Sequence, residues 1–110
     1  MTGKYDVYKD KSGEFRFRLK AGNNHVILTG EGYKTKSGCL KGIESIKKNV
    51  STDSHFEMYQ DKSKKFRFRL KAANREVIGQ SQGYASENSC KHGIESVKKN
   101  APDAVIVEVK

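Results

Sequence analysis

Tryptophan is absent from these 110 residues, proline appears once, as Pro102, and cysteine twice, as Cys39 and Cys90. A collagen-like or proline-rich disordered chain is thereby excluded, and two cysteines cannot furnish the disulfide framework that staples small secreted domains. Long apolar runs are missing too. No stretch nears the roughly 18 residues that a membrane-crossing helix needs, and the opening Met1-Thr2-Gly3-Lys4-Tyr5 has no apolar segment resembling a secretion signal. Acidic residues are in deficit, 13 against 22 Lys plus Arg, for a net charge of +9. With 35% hydrophobic and 32% charged residues, there are enough apolar side chains for one modest core under a very polar surface. These limits point to a soluble cytoplasmic protein with a single domain over 1–110, too short for most multidomain enzymes.

What the sequence does contain is a repeat. Phe15-Arg16-Phe17-Arg18-Leu19-Lys20-Ala21 recurs 51 residues later as Phe66-Arg67-Phe68-Arg69-Leu70-Lys71-Ala72. At the same offset Gly42-Ile43-Glu44-Ser45-Ile46-Lys47-Lys48-Asn49 recurs as Gly93-Ile94-Glu95-Ser96-Val97-Lys98-Lys99-Asn100. Tyr8, Asp10, Lys11, Ser12, Gly32, Tyr33 and Cys39 also match, no insertion is needed, and about half of the aligned positions are identical. A unit this short buries too little apolar surface to stand alone comfortably, so repeat one, about 4–54, and repeat two, about 55–110, are expected to share one core as a pseudo-twofold dimer within a chain. The charge is shared as well. To Ser54 there are 11 basic and 6 acidic residues, and from His55 onward 11 and 7, so the excess is not a basic tail.

Each unit reads as strands followed by a helix. Tyr5 and Val7 alternate with Asp6 and Tyr8, Asp10 to Glu14 supply turn chemistry, and Phe15, Phe17 and Leu19 alternate with Arg16, Arg18 and Lys20. Gly22-Asn23-Asn24 suits a tight connection into a third strand around Val26-Ile27-Leu28, because Asn tolerates the left-handed backbone of such turns. Whether Val26 or Ile27 points inward depends on the hairpin register. After Tyr33 the period changes: Cys39, Ile43, Ile46 and Val50, and likewise Cys90, Ile94, Val97 and Ala101, lie on one stripe of a helix. Thr35 or Ser37, and Ser86, can cap the helix starts, while Asn49, Asn100 and Pro102 favour termination. Gly42 and Gly93 sit mid-helix at a cost of about 1 kcal/mol each, which implies close packing there, against the sheet. Val105 to Val109 reads as a final strand.

These motifs, taken twice, resemble those of the YegP-like family of small uncharacterised prokaryotic proteins, and the resemblance covers nearly the whole chain. It implies an α+β fold in which two tandem β-β-β-α-β repeats form one antiparallel sheet with helices packed on it, the last strand of each repeat being exchanged into the other. Val105 to Val109 would be the second repeat's exchanged strand, and the segment from Val50 toward Phe56 the first's. Single-repeat relatives would form the same object as homodimers, and this chain a monomer by internal duplication. Arg75, where a Gly commonly follows Asn in such turns, departs from the pattern. The resemblance brings no catalytic, metal or cofactor residues with it.

Doubling tests the residues that could carry chemistry. His25, His55 and His92 face Glu76, Lys4 and Lys41 at equivalent positions and lack metal-ligand spacing. Cys39 and Cys90 do repeat, yet without a Cys-x-x-Cys partner they read as small apolar residues on the buried stripe rather than a redox pair. Ser45 and Ser96 have no paired His or Lys to activate them, and Glu44 and Glu95 are placed to pair with Lys47 or Lys48 and Lys98 or Lys99 one turn on. No catalytic residue, metal or cofactor is therefore assigned. The basic strands are the remaining candidate: Arg16, Arg18, Lys20, Arg67, Arg69 and Lys71 share one sheet face, with Tyr8 and Tyr59 as aromatic surface that could stack on bases. A turn about Ser12 would set Asp6 opposite Arg18 and Tyr8 opposite Arg16, and the second copy Glu57 opposite Arg69 and Tyr59 opposite Arg67. Such pairs would neutralise the face without any ligand. The sequence thus favours a non-catalytic interaction module with an unspecified partner, the alternative being nucleic-acid binding through the basic face.

Overall fold

A computed structural model describes residues 3–109, with the Asp53 side chain left out. Met1, Thr2 and Lys110, the ends of the expected domain, lie outside the described residues. The order is β1 (Lys4–Lys9), β2 (Phe15–Lys20), β3 (Val26–Gly30), α1 (Lys36–Asn49), β4 (Phe56–Gln60), β5 (Phe66–Lys71), β6 (Val77–Gln80), α2 (Glu87–Asn100) and β7 (Val105–Glu108). Seven strands form one sheet in the order β4-β5-β6-β3-β2-β1-β7. Thr29 of β3 pairs with Gln80 of β6, its own equivalent at the 51-residue offset, so the pseudo-twofold axis passes between them.

Period-two alternation fixes which face is covered. Tyr5, Val7, Phe17, Leu19, Leu28, Phe68 and Leu70 point to the helices and are buried, joined by Cys39, Ile43, Ile46, Val50, Cys90, Val97 and Ala101. They form one cluster drawn from both repeats. Thr35 Oγ1 accepts from the Gly38 N–H and Ser86 Oγ from the Ser89 N–H, so both caps are the expected residues. Asn49 and Asn100, at the helix ends, each donate from Nδ2 to the carbonyl oxygen four residues back, 2.7 and 2.8 Å away, and reach the hydroxyls of Ser45 and Ser96. The repeated serines therefore serve the helix ends. The mid-helix glycines make room for tyrosines rather than for a strand: a Cβ on Gly42 would fall 2.3 Å from Tyr33 Oη, and one on Gly93 2.4 Å from Tyr84 Oη.

Two features differ from expectation, and a third resolves an alternative that the sequence leaves open. First, the sheet is mixed: all pairings are antiparallel except β7 with β1, which is parallel. Second, only the second repeat delivers an exchanged strand. Val50 toward Phe56 is a helix end and a 3-10 turn, Asp53–His55, which runs straight into β4. The residues equivalent to β7 are 54–57, and in a tandem chain they are consumed by that turn and by the start of β4. Third, the inward residue of β3 is settled by a bulge: Leu19 pairs with Leu28 and Lys20 with Val26, so Ile27 is the extra residue, and it is buried. The turn before β3 has the same shape in both repeats, with Asn24 at φ 69° and Arg75 at φ 71°. A left-handed backbone strains Arg more than Asn. Arg75→Asn is expected to raise stability by a few tenths to about 1 kcal/mol in urea unfolding.

Candidate functional site

Helices cover one face of the sheet only, so the other displays the alternate residues of every strand. Arg16, Arg18 and Lys20 on β2, Arg67, Arg69 and Lys71 on β5, and Tyr8 and Tyr59 on β1 and β4 all fall on this open face. The structure does not gather them into one patch, because β3 and β6 separate the two triplets. Between the triplets lies a depression of about 370 Å³ lined by Arg16, Thr29, Glu31, Arg67 and Gln80.

Both hairpin registers are those the turn chemistry implied: Asp6 opposite Arg18, Tyr8 opposite Arg16, Glu57 opposite Arg69, and Tyr59 opposite Arg67. The contacts that form are partly diagonal. Asp6 pairs with Lys20 at 2.7 Å, and the Arg18 guanidinium instead lies over the Tyr8 ring, 4.4 Å from its centroid. Glu57 takes both Arg69 and Lys71 at 3.0 Å, and Arg69 stacks on Tyr59 at 4.1 Å. The carboxylates for Arg16 and Arg67 come from the turns: Asp10 Oδ2 and Asp61 Oδ2 each accept from the arginine Nε at 2.6 Å. Their other oxygens accept backbone N–H bonds, from Ser12 and Glu14 and from Ser63 and Lys65. Asp10 and Asp61 repeat at the 51-residue offset, which was the available sign of this role. Of the six basic residues only Arg18 lacks a carboxylate partner among the described residues, and its Nε is buried without a hydrogen bond.

The Arg16 guanidinium and the turn amides hold Asp10 below the usual carboxylate range, and Arg67 does the same for Asp61. A depressed folded pKa stabilises above the unfolded value, near 4, and the contribution is lost as pH falls through the folded value. Substituting Asp10→Asn and Asp61→Asn together should flatten the loss of stability below about pH 4, measured as urea midpoints across an acid series. An unchanged slope would show that the turns do not couple to titration.

Elsewhere the chemistry is muted. Burial pushes the thiols of Cys39 and Cys90 up, so both stay protonated and unreactive in the core. His25 and His92 are exposed, while His55 is half-buried with no hydrogen-bond partner for Nδ1 among the described residues. Glu95 does pair with Lys98, at 3.6 Å, but Glu44 forms no ion pair with Lys47 or Lys48, and Lys47 lies over the Tyr5 ring instead. Among the described residues no three His, Cys, Asp or Glu converge, and no helix is long and apolar enough to cross a membrane.

The two outer edges of the duplicated core are unequal. β1 is flanked by β7, with Val105 N–H donating to Gly3 O and Val109 N–H to Val7 O, and Tyr5, Asp6 and Val7 are buried. β4 is the equivalent strand and has no neighbour on its outer side among the described residues. Its Phe56 and Met58 are only half-buried and Glu57 is exposed. The Phe68 N–H donates to Ser81 Oγ and its carbonyl accepts from the Ser81 N–H, so both point toward β6, which makes Met58 and Phe68 a non-hydrogen-bonded pair and turns the Met58 N–H and C=O outward.

A family model described as "Domain of unknown function (DUF1508)" matches residues 10–57 and again 61–108. The chain belongs to this family. The two DUF1508 matches start 51 residues apart, as the repeat does. A UPF0339 protein encoded in the ptx operon 5′ region of Stutzerimonas stutzeri is 58% identical over 109 residues, 99% of this chain and 98% of that one. YegP of Escherichia coli K12 is 42% identical over 106 residues, 96% of each. The solution NMR structure of E. coli yegP, titled a protein of unknown function, superposes with a TM-score of 0.92 at 41% identity, covering 98% of this chain and 93% of that one. The UPF0339 protein of Shewanella oneidensis gives 0.91 at 42%, covering 98% and 92%. The YegP-like resemblance read from the motifs is therefore shown. Nothing in these DUF1508 relatives points to catalysis.

Proposed function

We propose that the chain is a non-catalytic interaction module, monomeric through its internal duplication, and that a partner protein meets it at the outer edge of β4 by adding an extended strand. The observation that carries this reading is the unequal cover on two equivalent strands: β7 buries Tyr5, Asp6 and Val7, and nothing does so for Phe56, Glu57 and Met58 among the described residues. An edge with unpaired N–H and C=O groups is a template for strand pairing. Copies at +9 each repel one another, which favours a different protein as the source of the strand. β7 leaves Val105, Ile106, Val107 and Val109 exposed on the opposite edge, but no equivalent within the fold indicates what pairs there.

Nucleic-acid binding through Arg16, Arg18, Lys20, Arg67, Arg69, Lys71, Tyr8 and Tyr59 is the second reading, supported by the stacked Arg18 that no carboxylate among the described residues neutralises. The five ion pairs made by the other basic residues of the two triplets weigh the other way, since each must be broken or shared to meet phosphate. One amide-shift titration separates the two. With a peptide copying residues 103–109, shifts confined to 55–60 are expected; with duplex and single-stranded oligonucleotides at low salt, none. Salt-sensitive oligonucleotide shifts along β2 and β5, with no peptide response at β4, would reverse the order.

A further inference from the structure

We infer that the β4 edge accepts a parallel, apolar strand carrying a basic residue opposite the start of α2. This rests on the strand-addition reading and adds the partner's chemistry. The occupied site on the other side of the pseudo-twofold axis supplies the template. There β7 lies parallel to β1 with Tyr5 beside Ile106, Asp6 beside Val107 and Val7 beside Glu108. Moved by 51 residues, that register sets Phe56, Glu57 and Met58 beside the positions of Ile106, Val107 and Glu108. The backbone is ready for it, since the Val7 carbonyl that accepts from Val109 has its equivalent in the outward Met58 carbonyl. Side chains agree. Ile106 and Val107 would meet Phe56 and the stem of Glu57, and His55, whose Nδ1 is buried without a partner among the described residues, takes the place of Lys4 at the strand's entry.

Charge then selects the partner. At the occupied site Lys36, the first residue of α1, forms an ion pair with Glu108, and the two close a cavity of about 150 Å³ with Val7, Phe15 and Val109. The equivalent of Lys36 is Glu87, the first residue of α2. A second copy of β7 would bring Glu108 against Glu87, like charge against like, whereas a strand with Lys or Arg at that place restores the pair with its sign reversed. Duplication has preserved the strand site and inverted the one charge that reads its occupant.

The test titrates the full chain with two peptides copying residues 103–109, one unchanged and one with Glu108→Lys, reading the amides of 55–60. The Glu108→Lys peptide is expected to bind about five-fold more tightly at low salt, and Glu87→Lys in the protein to reverse the preference. Equal affinities, or a preference indifferent to Glu87→Lys, overturn the charge assignment while leaving strand addition standing. Absence of β4 shifts with either peptide overturns both, as does concentration-dependent self-association of the free chain that protects the Met58 amide.

Discussion

Replacing Phe17 by Ala is expected to cost about 3–5 kcal/mol, a third or more of the total stability of an ordinary domain of this size. The ring is fully buried, stands edge-on to Tyr5 at 6.0 Å and 72°, and stacks on Tyr33 at 6.5 Å and 18°. Gly30 lies directly against it, so close that a Cβ there would fall 2.3 Å from the ring. Truncation removes contacts on three sides, and backbone cannot collapse into the space as side chains could. Phe68 has the same aromatic frame, with Phe56 edge-on at 5.9 Å and Tyr84 stacked at 6.3 Å, and Ser81 stands where the first repeat has Gly30. Its edge-on neighbour, however, lies on the uncovered β4 and is only half-buried. Phe56 can therefore relax into the gap, and Phe68→Ala should cost about 1 kcal/mol less than Phe17→Ala. Urea unfolding of both variants at constant m-value measures the difference. A larger loss at Phe68 would show that β4 is as rigidly packed as β1, and would remove the asymmetry on which the proposed docking edge depends.

That asymmetry marks where the sequence stops being informative. Both hairpin registers were legible, because alternation assigns faces and turn residues assign offsets, so Asp6 and Arg18, or Glu57 and Arg69, had one arrangement open to them. The helix stripe and its caps were legible for the same reason of period, though Ile94 is half-buried where Ile43 is buried. Alternation says nothing about strand direction, so the parallel docking of Val105–Glu108 was not readable. Nor does it count strands when one segment serves two equivalences, as residues 54–57 do. In the candidate site the six basic residues share a face as expected. Their partners could not be paired from the ladder alone, because long side chains reach diagonally and because Asp10 and Asp61 act from turns outside it.

At the pseudo-twofold axis duplication meets a limit of volume, and this yields the second large prediction. Leu28 and Gly79 are equivalent residues, and Leu28 is fully buried. A Cβ on Gly79 would lie 2.8 Å from Leu28 Cδ2. The space beside the central β3–β6 pair thus holds one leucine, furnished by the first repeat, and the second repeat must leave it empty. Gly79→Leu, which makes the two repeats more alike in sequence, is expected to destabilise by about 3 kcal/mol or more, since overpacked cores strain rotamers and backbone together. Leu28→Gly should cost a similar amount or more by leaving a cavity and loosening a strand. The two changes combined should recover well over half of the summed loss, because a leucine at position 79 then enters the volume that position 28 has vacated. A double-mutant cycle reads this directly as a favourable coupling of about 3 kcal/mol or more. Additive losses would mean that the two positions do not share one volume, and that the axis is not where the Thr29–Gln80 pair puts it.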